Sequence, residues 1–140
     1  MLERTLLIIK PDAVAAGNAG NILAMLEKGG FVVRALRMVH QDAQSAGKFY
    51  EVHKERPFYG ELVEFMTSGP CIPMVLEKEN AISDLRKFIG ATNPAEAEDG
   101  TVRKLYASSI QNNAVHASDS PESASNEIPH FFPEITVEVA

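Results

Sequence analysis

Thr5-Leu6-Leu7-Ile8-Ile9-Lys10-Pro11-Asp12 is the run against which the rest of the chain is read. Its apolar residues show no polar alternation, and Lys10-Pro11-Asp12 stops them abruptly. A short continuous apolar run of this kind predicts a strand buried on both faces that ends in a polar loop, and that loop is a candidate wall of a site. Outward from it, Ile22, Leu23 and Leu26 recur at helical spacing over residues 20–27, with Gly29-Gly30 as a C-terminal stop. Residues 31–39 mix a β-branched run with alternation, as in a strand with one partly wet face. Ala43, Ala46, Phe49, Tyr50 and His53 recur at steps of three and four and predict a second helix. Pro57 suits the first turn of a third, in which Leu62, Phe65 and Met66 share a face before Gly69-Pro70 closes it. Residues 71–77 read as strand and residues 81–89 as helix, with Ile82, Leu85 and Ile89 inward.

Residues 90–113 have no clean period and hold Gly90, Pro94, Gly100 and several acids, so they read as a long loop with room for a helical turn. Loops of that length inside a compact domain are either functional or a sign of misassigned elements, and function is the reading favoured here. Ser120-Pro121-Glu122 has the form of an N-cap, a proline at the first helical position and an acid in the first turn. Residues 127–132, with His130, read as a last strand, which Pro129 should confine to a sheet edge. The order is therefore strand, helix, strand, helices, strand, helix, long loop, short helix, strand. That is the βαββαβ pattern of a ferredoxin-like α+β sandwich: a four-stranded antiparallel sheet with helices on one face and a long loop insertion. Residues 1–140 are expected to form one domain, without internal repeat, low-complexity tract or linker.

The chain has 140 residues, 45% of them hydrophobic and 23% charged, an ordinary globular mixture. A formal charge of -6 argues against stable binding to nucleic acid or acidic membranes, which calls for a broad basic face. A small anionic ligand remains compatible, because a few of the 13 cationic residues gathered in one cleft suffice to hold phosphates. Met1-Leu2-Glu3-Arg4 precedes too short an apolar run for a signal peptide or a span, and Cys71, the single cysteine, lies in an apolar stretch as a small buried residue. A reducing cytoplasm is the expected compartment.

Of the four histidines, His40 and His53 lie beside apolar or helical patterns and His130 in the expected last strand, which suits surface or packing roles. His116 differs. Ser118, Asp119 and Ser120 follow it closely, and Glu127 comes eleven residues later across a short helix. A histidine nucleophile needs one ring nitrogen free and the other held by a hydrogen bond that fixes its tautomer, which a carboxylate provides. A loop histidine that packs or caps fits the same spacing. Lys10, Arg56, Arg86 and Arg103 are the candidate phosphate ligands, although each alone is equally a solvated surface charge. No Gly-x4-Gly-Lys-Ser/Thr or Gly-x-Gly-x-x-Gly pattern occurs, so a nucleotide site here must be built from side chains.

Asn113-Ala114-Val115-His116-Ala117-Ser118-Asp119-Ser120 closely resembles the active-site signature of nucleoside diphosphate kinases, and Lys10-Pro11-Asp12-Ala13-Val14 looks like their other hallmark. The resemblance continues through His53-Lys54-Glu55-Arg56-Pro57-Phe58-Tyr59, Leu62-Val63-Glu64-Phe65-Met66, Ser68-Gly69-Pro70, Gly90-Ala91-Thr92-Asn93-Pro94 and Gly100-Thr101-Val102-Arg103, in order along nearly the whole chain. It implies a ferredoxin-like fold and the exchange of γ-phosphate between nucleoside triphosphates, mainly ATP, and nucleoside diphosphates, by ping-pong through a phosphohistidine. It also implies Mg²⁺ held by the nucleotide phosphates, with no metal ligand from the protein. By matching position, His116 is the nucleophile through Nδ1, and Glu127 and Ser118 orient or assist it. Lys10, Arg86, Thr92 and Arg103 surround the phosphates, and Tyr50 lies near the reacting group. Phe58 stacks on the base, and Asn113, helped by Lys10, binds the ribose hydroxyls. The partners implied are nucleotides and further copies of the chain, in a tetramer or hexamer built from dimers, with the loop over residues 90–112 as an expected subunit contact. The tail ends soon after Pro133, shorter than in forms whose C-terminal extension braces a hexamer. Ala117 stands where most of the family has Gly, and a Cβ there restricts the backbone beside the nucleophile.

Overall fold

In the computed structural model the apolar run is the core of strand β1 (Leu2–Ile9), buried on both faces from Thr5 to Ile9. The structure describes residues 2–135, and the tail whose length bears on hexamer bracing lies largely outside them. After β1 come α1 (Pro11–Ala15), α2 (Ala19–Lys28), β2 (Val32–Leu36), α3 (Ala43–Phe49), α4 (Tyr59–Met66), β3 (Ile72–Glu79), α5 (Ala81–Ile89), α6 (Val102–Tyr106), β4 (Val115–Ala117) and α7 (Pro121–Phe131). The sheet order is β2-β3-β1-β4 with every neighbouring pair antiparallel. With α2 and α5 as the crossovers, this is the expected βαββαβ ferredoxin-like topology. No helix among the described residues is long and apolar enough to cross a membrane.

Successive side chains of β1 point to opposite faces, so an unbroken apolar run needs cover on both. Leu7 and Ile9 pack with Ile22 and Leu26 of α2 and with Leu85 and Ile89 of α5. Leu6 and Ile8 pack with Ala46 of α3, Met66 of α4 and Ala124, Ile128 and Phe131 of α7. The expectation of helices on one face is thus corrected: the crossovers occupy one face, and α3, α4 and α7 close the other.

The expected last strand over residues 127–132 is the second half of α7. Ser120 caps that helix, its Oγ accepting from Ser123 N at 3.0 Å, and Pro121 stands at the first helical position. Ala124, Ile128 and Phe131 then fall on one buried face at steps of four and three, and this burial outweighs the break that Pro129 introduces near the C-terminus. The fourth strand is instead β4, which pairs with β1 through Leu7↔Ala117, Ile8↔His116 and Ile9↔Val115. Two smaller corrections concern prolines. Pro11 opens the short α1 rather than a loop, and Pro57 precedes α4, which begins at Tyr59.

Residues 90–113 contain a 3-10 turn (Pro94–Glu96) and α6, whose N-cap Thr101 accepts from Lys104 N at 3.3 Å. Ala97 and Val102 are buried, so the segment has its own contact with the core, which the sequence reading did not foresee. Gly90 fixes its start. Its φ is 92°, and a Cβ there would lie 2.6 Å from Thr101 Oγ1.

Candidate active site

β4, the edge strand beside β1, places His116 opposite Ile8, and α7 returns along the same face. That return brings Glu127 Oε1 to 2.9 Å from His116 Nε2, while Ser118 Oγ donates to the same oxygen at 2.8 Å. An ionised carboxylate only accepts, so Nε2 carries the proton and Nδ1 keeps its lone pair. The rings of Phe49 and Tyr50 meet the imidazole edge-on, with centroids at 5.5 and 6.2 Å. Burial pushes the Tyr50 phenol well above its usual range, with the Glu127 charge adding to it, so Tyr50 stays a neutral donor. The spacing reading of a histidine held by Glu127 is therefore met in the geometry, on a strand rather than in a loop.

A cleft of about 300 Å³ opens in front of His116, and Lys10, Tyr50, Arg86, Thr92, Arg103 and Asn113 all line it. Lys10 is only 6% exposed, and its Nζ donates to Asn113 Oδ1 at 2.9 Å and Gln111 O at 3.1 Å, leaving one of its three N–H groups unspent. Burial lowers the Lys10 ammonium to about 8; Asp12 opposes that shift and Arg103 adds to it. Arg103, 5% exposed, donates through Nε to Asn113 O, through Nη1 to Gly90 O and through Nη2 to Val115 O, at 3.3, 3.1 and 2.9 Å. Two of its five N–H groups remain. Burial, with Arg86 second, lowers it to about 10. Arg86, in the last turn of α5, donates to Ala117 O at 3.3 Å.

A second pocket of about 570 Å³ shares Lys10, Leu62, Thr92 and Asn113 with the first and extends to Phe58 and Ile110. Phe58 is 45% exposed, with its ring beside His53 at 5.6 Å. Every residue expected at the site thus borders one continuous depression or, as with Ser118, lies directly beneath it. Arg56 is the exception among the candidate cations: it is exposed and lines neither pocket.

Several lining residues were not anticipated. His53 falls in a 3-10 turn at the cleft and not on a packing face, as its helical spacing had implied. Asp119 also lines the cleft, held below the usual carboxylate range first by the Ser123 hydroxyl and then by Arg86. Its place two residues after β4 was the available signal. His130 is on α7, with Nε2 3.2 Å from Ser45 Oγ, and lies outside the cleft. Ala117 adopts ordinary extended backbone, since among non-glycine described residues positive φ occurs at Asn80 and Ala114. Its methyl joins the core cluster on the face opposite His116.

The sequence profile of the family described as Nucleoside diphosphate kinase matches residues 3–137. Over 131 residues, 94% of either chain, the sequence is 56% identical to the nucleoside diphosphate kinase of Chlorobaculum tepidum. It is 57% identical to that of a Geobacter species, over 94% of this chain and 96% of that one. The fold superposes on a crystal structure of the Aquifex aeolicus nucleoside diphosphate kinase with a TM-score of 0.95 at 45% identity, covering 99% of this chain and all of that chain.

Proposed function

The chain belongs to the nucleoside diphosphate kinase family, and from that premise we propose that His116 is the phosphoryl carrier of a kinase acting across its full length as one domain. The enzyme is a phosphotransferase that passes the γ-phosphate of a nucleoside triphosphate to a nucleoside diphosphate in two half-reactions. In the first, Nδ1 attacks the γ-phosphorus, an N–P bond forms, and the bond to the bridging oxygen breaks so that the diphosphate leaves. In the second, a terminal oxygen of the incoming diphosphate attacks the phosphohistidine, and Nδ1 is released. One site serves donor and acceptor in turn, which is ping-pong kinetics.

The observation that carries this reading is the shared oxygen of Glu127, 2.9 Å from His116 Nε2 and 2.8 Å from Ser118 Oγ. It leaves Nδ1 as the nucleophile and balances the positive charge that the ring gains on phosphorylation. Phosphoryl transfer spreads charge over equatorial oxygens, so the unspent donors of Lys10 and Arg103, with Arg86, Thr92 and the Tyr50 hydroxyl, stabilise it without reorganising. Phe58 supplies a stacking face for the base and Asn113 a partner for the ribose hydroxyls. Following the family resemblance, we assign the divalent ion, Mg²⁺, to the nucleotide's own phosphates. Mg²⁺ there supplies partial neutralisation of the phosphate charge.

The same reading takes nucleoside tri- and diphosphates as partners, with neither nucleic acid nor membrane, in the cytoplasm. We assign a homo-oligomer built from dimers, a tetramer or hexamer. Supporting that assignment, the edge strand β2 and its extension expose Val32, Leu36 and Met38, and the insertion exposes Leu105. The test of the carrier is incubation with Mg-ATP labelled at the γ position. One acid-labile phosphate per chain is expected, and His116→Ala should remove it while leaving the circular dichroism unchanged. An unlabelled, folded wild-type chain would refute the reading.

A further inference from the structure

Ala114 holds a backbone conformation that L-residues avoid, with φ at 72°, two residues before His116. It is fully buried, and both of its peptide groups are taken by the N-terminal end of α1. Its N–H donates to Asp12 Oδ2 at 3.1 Å, and its carbonyl accepts from Lys10 N at 2.9 Å. Asp12 stands in the first turn of α1, where Pro11 fixes the backbone that aims it. The residues on either side of Ala114 belong to the site: Asn113 receives Lys10 Nζ, and the Val115 carbonyl receives Arg103 Nη2.

We propose that Asp12 is a positioning residue, whose carboxylate clamps Ala114 in its left-handed conformation and thereby sets Lys10, Asn113 and His116 at fixed distances from one another. Without the clamp the Cβ of Ala114 favours relaxation of the peptide toward negative φ, which rotates the start of β4 and separates the nucleophile from the cations across the cleft. The inference rests on the reading of His116 as phosphoryl carrier. Misplacement of reacting groups by about 1 Å is enough to cost on the order of a hundredfold in rate.

Three variants test it: Asp12→Asn, which keeps an oxygen for the Ala114 N–H; Asp12→Ala, which does not; and Asp12→Ala combined with Ala114→Gly, which removes the penalty on positive φ. Steady-state kcat and KM and the rate of label uptake from Mg-ATP are measured on protein shown to be folded. Asp12→Ala should lower kcat between about tenfold and a hundredfold while KM moves less, Asp12→Asn should stay within about threefold of wild type, and the double variant should recover at least about threefold over Asp12→Ala. A kcat for Asp12→Ala within twofold of wild type overturns the proposal, as does equal damage from Asn and Ala or no recovery with glycine. If Asp12→Ala does not fold, the double variant decides: a folded, active double variant supports the clamp, and a double variant that also fails to fold overturns it. A wild-type chain that takes no label defeats the carrier reading instead, so the two failures are distinguishable.

Discussion

The two ends of the cleft are built differently. At the reacting end, Lys10, Arg103 and Asn113 are at most 6% exposed, and all but a few of their donors are held by backbone and by each other. At the far end, Phe58, Ile110 and Leu62 offer ring and aliphatic faces, with Phe58 and Ile110 45% and 60% exposed. Rigidity is concentrated where charge develops during transfer, because preorganised donors act without reorganisation only if something else holds them in place. The far end needs area rather than precision. Every base has a π face, so a stacking platform accepts many bases.

The sharpest way to break this contrast is Arg103→Lys. The charge survives, but a lysine cannot reproduce the planar fork, so at least part of the triad of carbonyls from Gly90, Asn113 and Val115 loses its donor. Buried acceptors left unpaired cost about 1–3 kcal/mol each, so a stability loss of roughly 2 kcal/mol or more is expected in urea unfolding. A fall in kcat/KM on the order of a hundredfold should accompany it. A variant within threefold of wild type in kcat/KM, at unchanged stability, would mean that the charge alone matters and the reacting end is not a backbone-held array.

Phe58→Ala probes the opposite end. Base stacking on an aromatic side chain is worth about 1–3 kcal/mol, so KM should rise roughly tenfold or somewhat more, with kcat within about twofold. Thermal unfolding should hardly move, since Phe58 is half exposed and outside both core clusters. A fall in kcat as large as the rise in KM would show that Phe58 also orders the reacting end, and the contrast would fail.

The same contrast governs what could be read from the residues. The apolar run of β1, the face of α5 and the Ser120-Pro121 start of α7 all write themselves locally, through composition, period and capping. β4 does not, because three residues carry no period, and its place in the sheet follows from pairing with Leu7 and Ile9 more than a hundred positions earlier. The second half of α7 misled because Pro129 and the adjacent phenylalanines imitate an edge strand, while the burial that makes the segment helical is tertiary. The array of donors on Asn113, Gly90 and Val115 is equally invisible locally: Lys10 reaches Asn113 across 103 positions. Spacing alone paired His116 with Glu127, whereas the roles of Lys10, Tyr50, Phe58, Arg86, Thr92, Arg103 and Asn113 came from family resemblance. The methyl of Ala117, which looked like a threat to the nucleophile, lies on the other face of the strand, a matter of alternation that a known register settles.

The smallest expected effect separates the ends by pH. Lys10 in the ligand-free chain has its ammonium lowered from 10.5 to about 8, chiefly by burial. A group protonated more readily in the unfolded chain lowers stability while it is charged in both states, and that penalty is relieved as pH rises through the window from 8 to 10.5. Polyphosphate reverses the local balance, because a bound anion favours the charged ammonium. Nucleoside diphosphate binding should therefore take up protons above pH 8, and affinity at pH 8.5 should be about threefold to fourfold weaker than at pH 7.5, once the nucleotide's own ionisation is common to both. Calorimetry at pH 8.5 in two buffers of different ionisation enthalpy measures the uptake directly. Lys10→Arg, which keeps its proton throughout, should abolish the difference between buffers, and Phe58→Ala should leave it intact while weakening affinity. Zero uptake by the wild type at pH 8.5 would mean that Lys10 enters the empty cleft already neutral or never leaves the charged state, and that its burial is not coupled to the ligand.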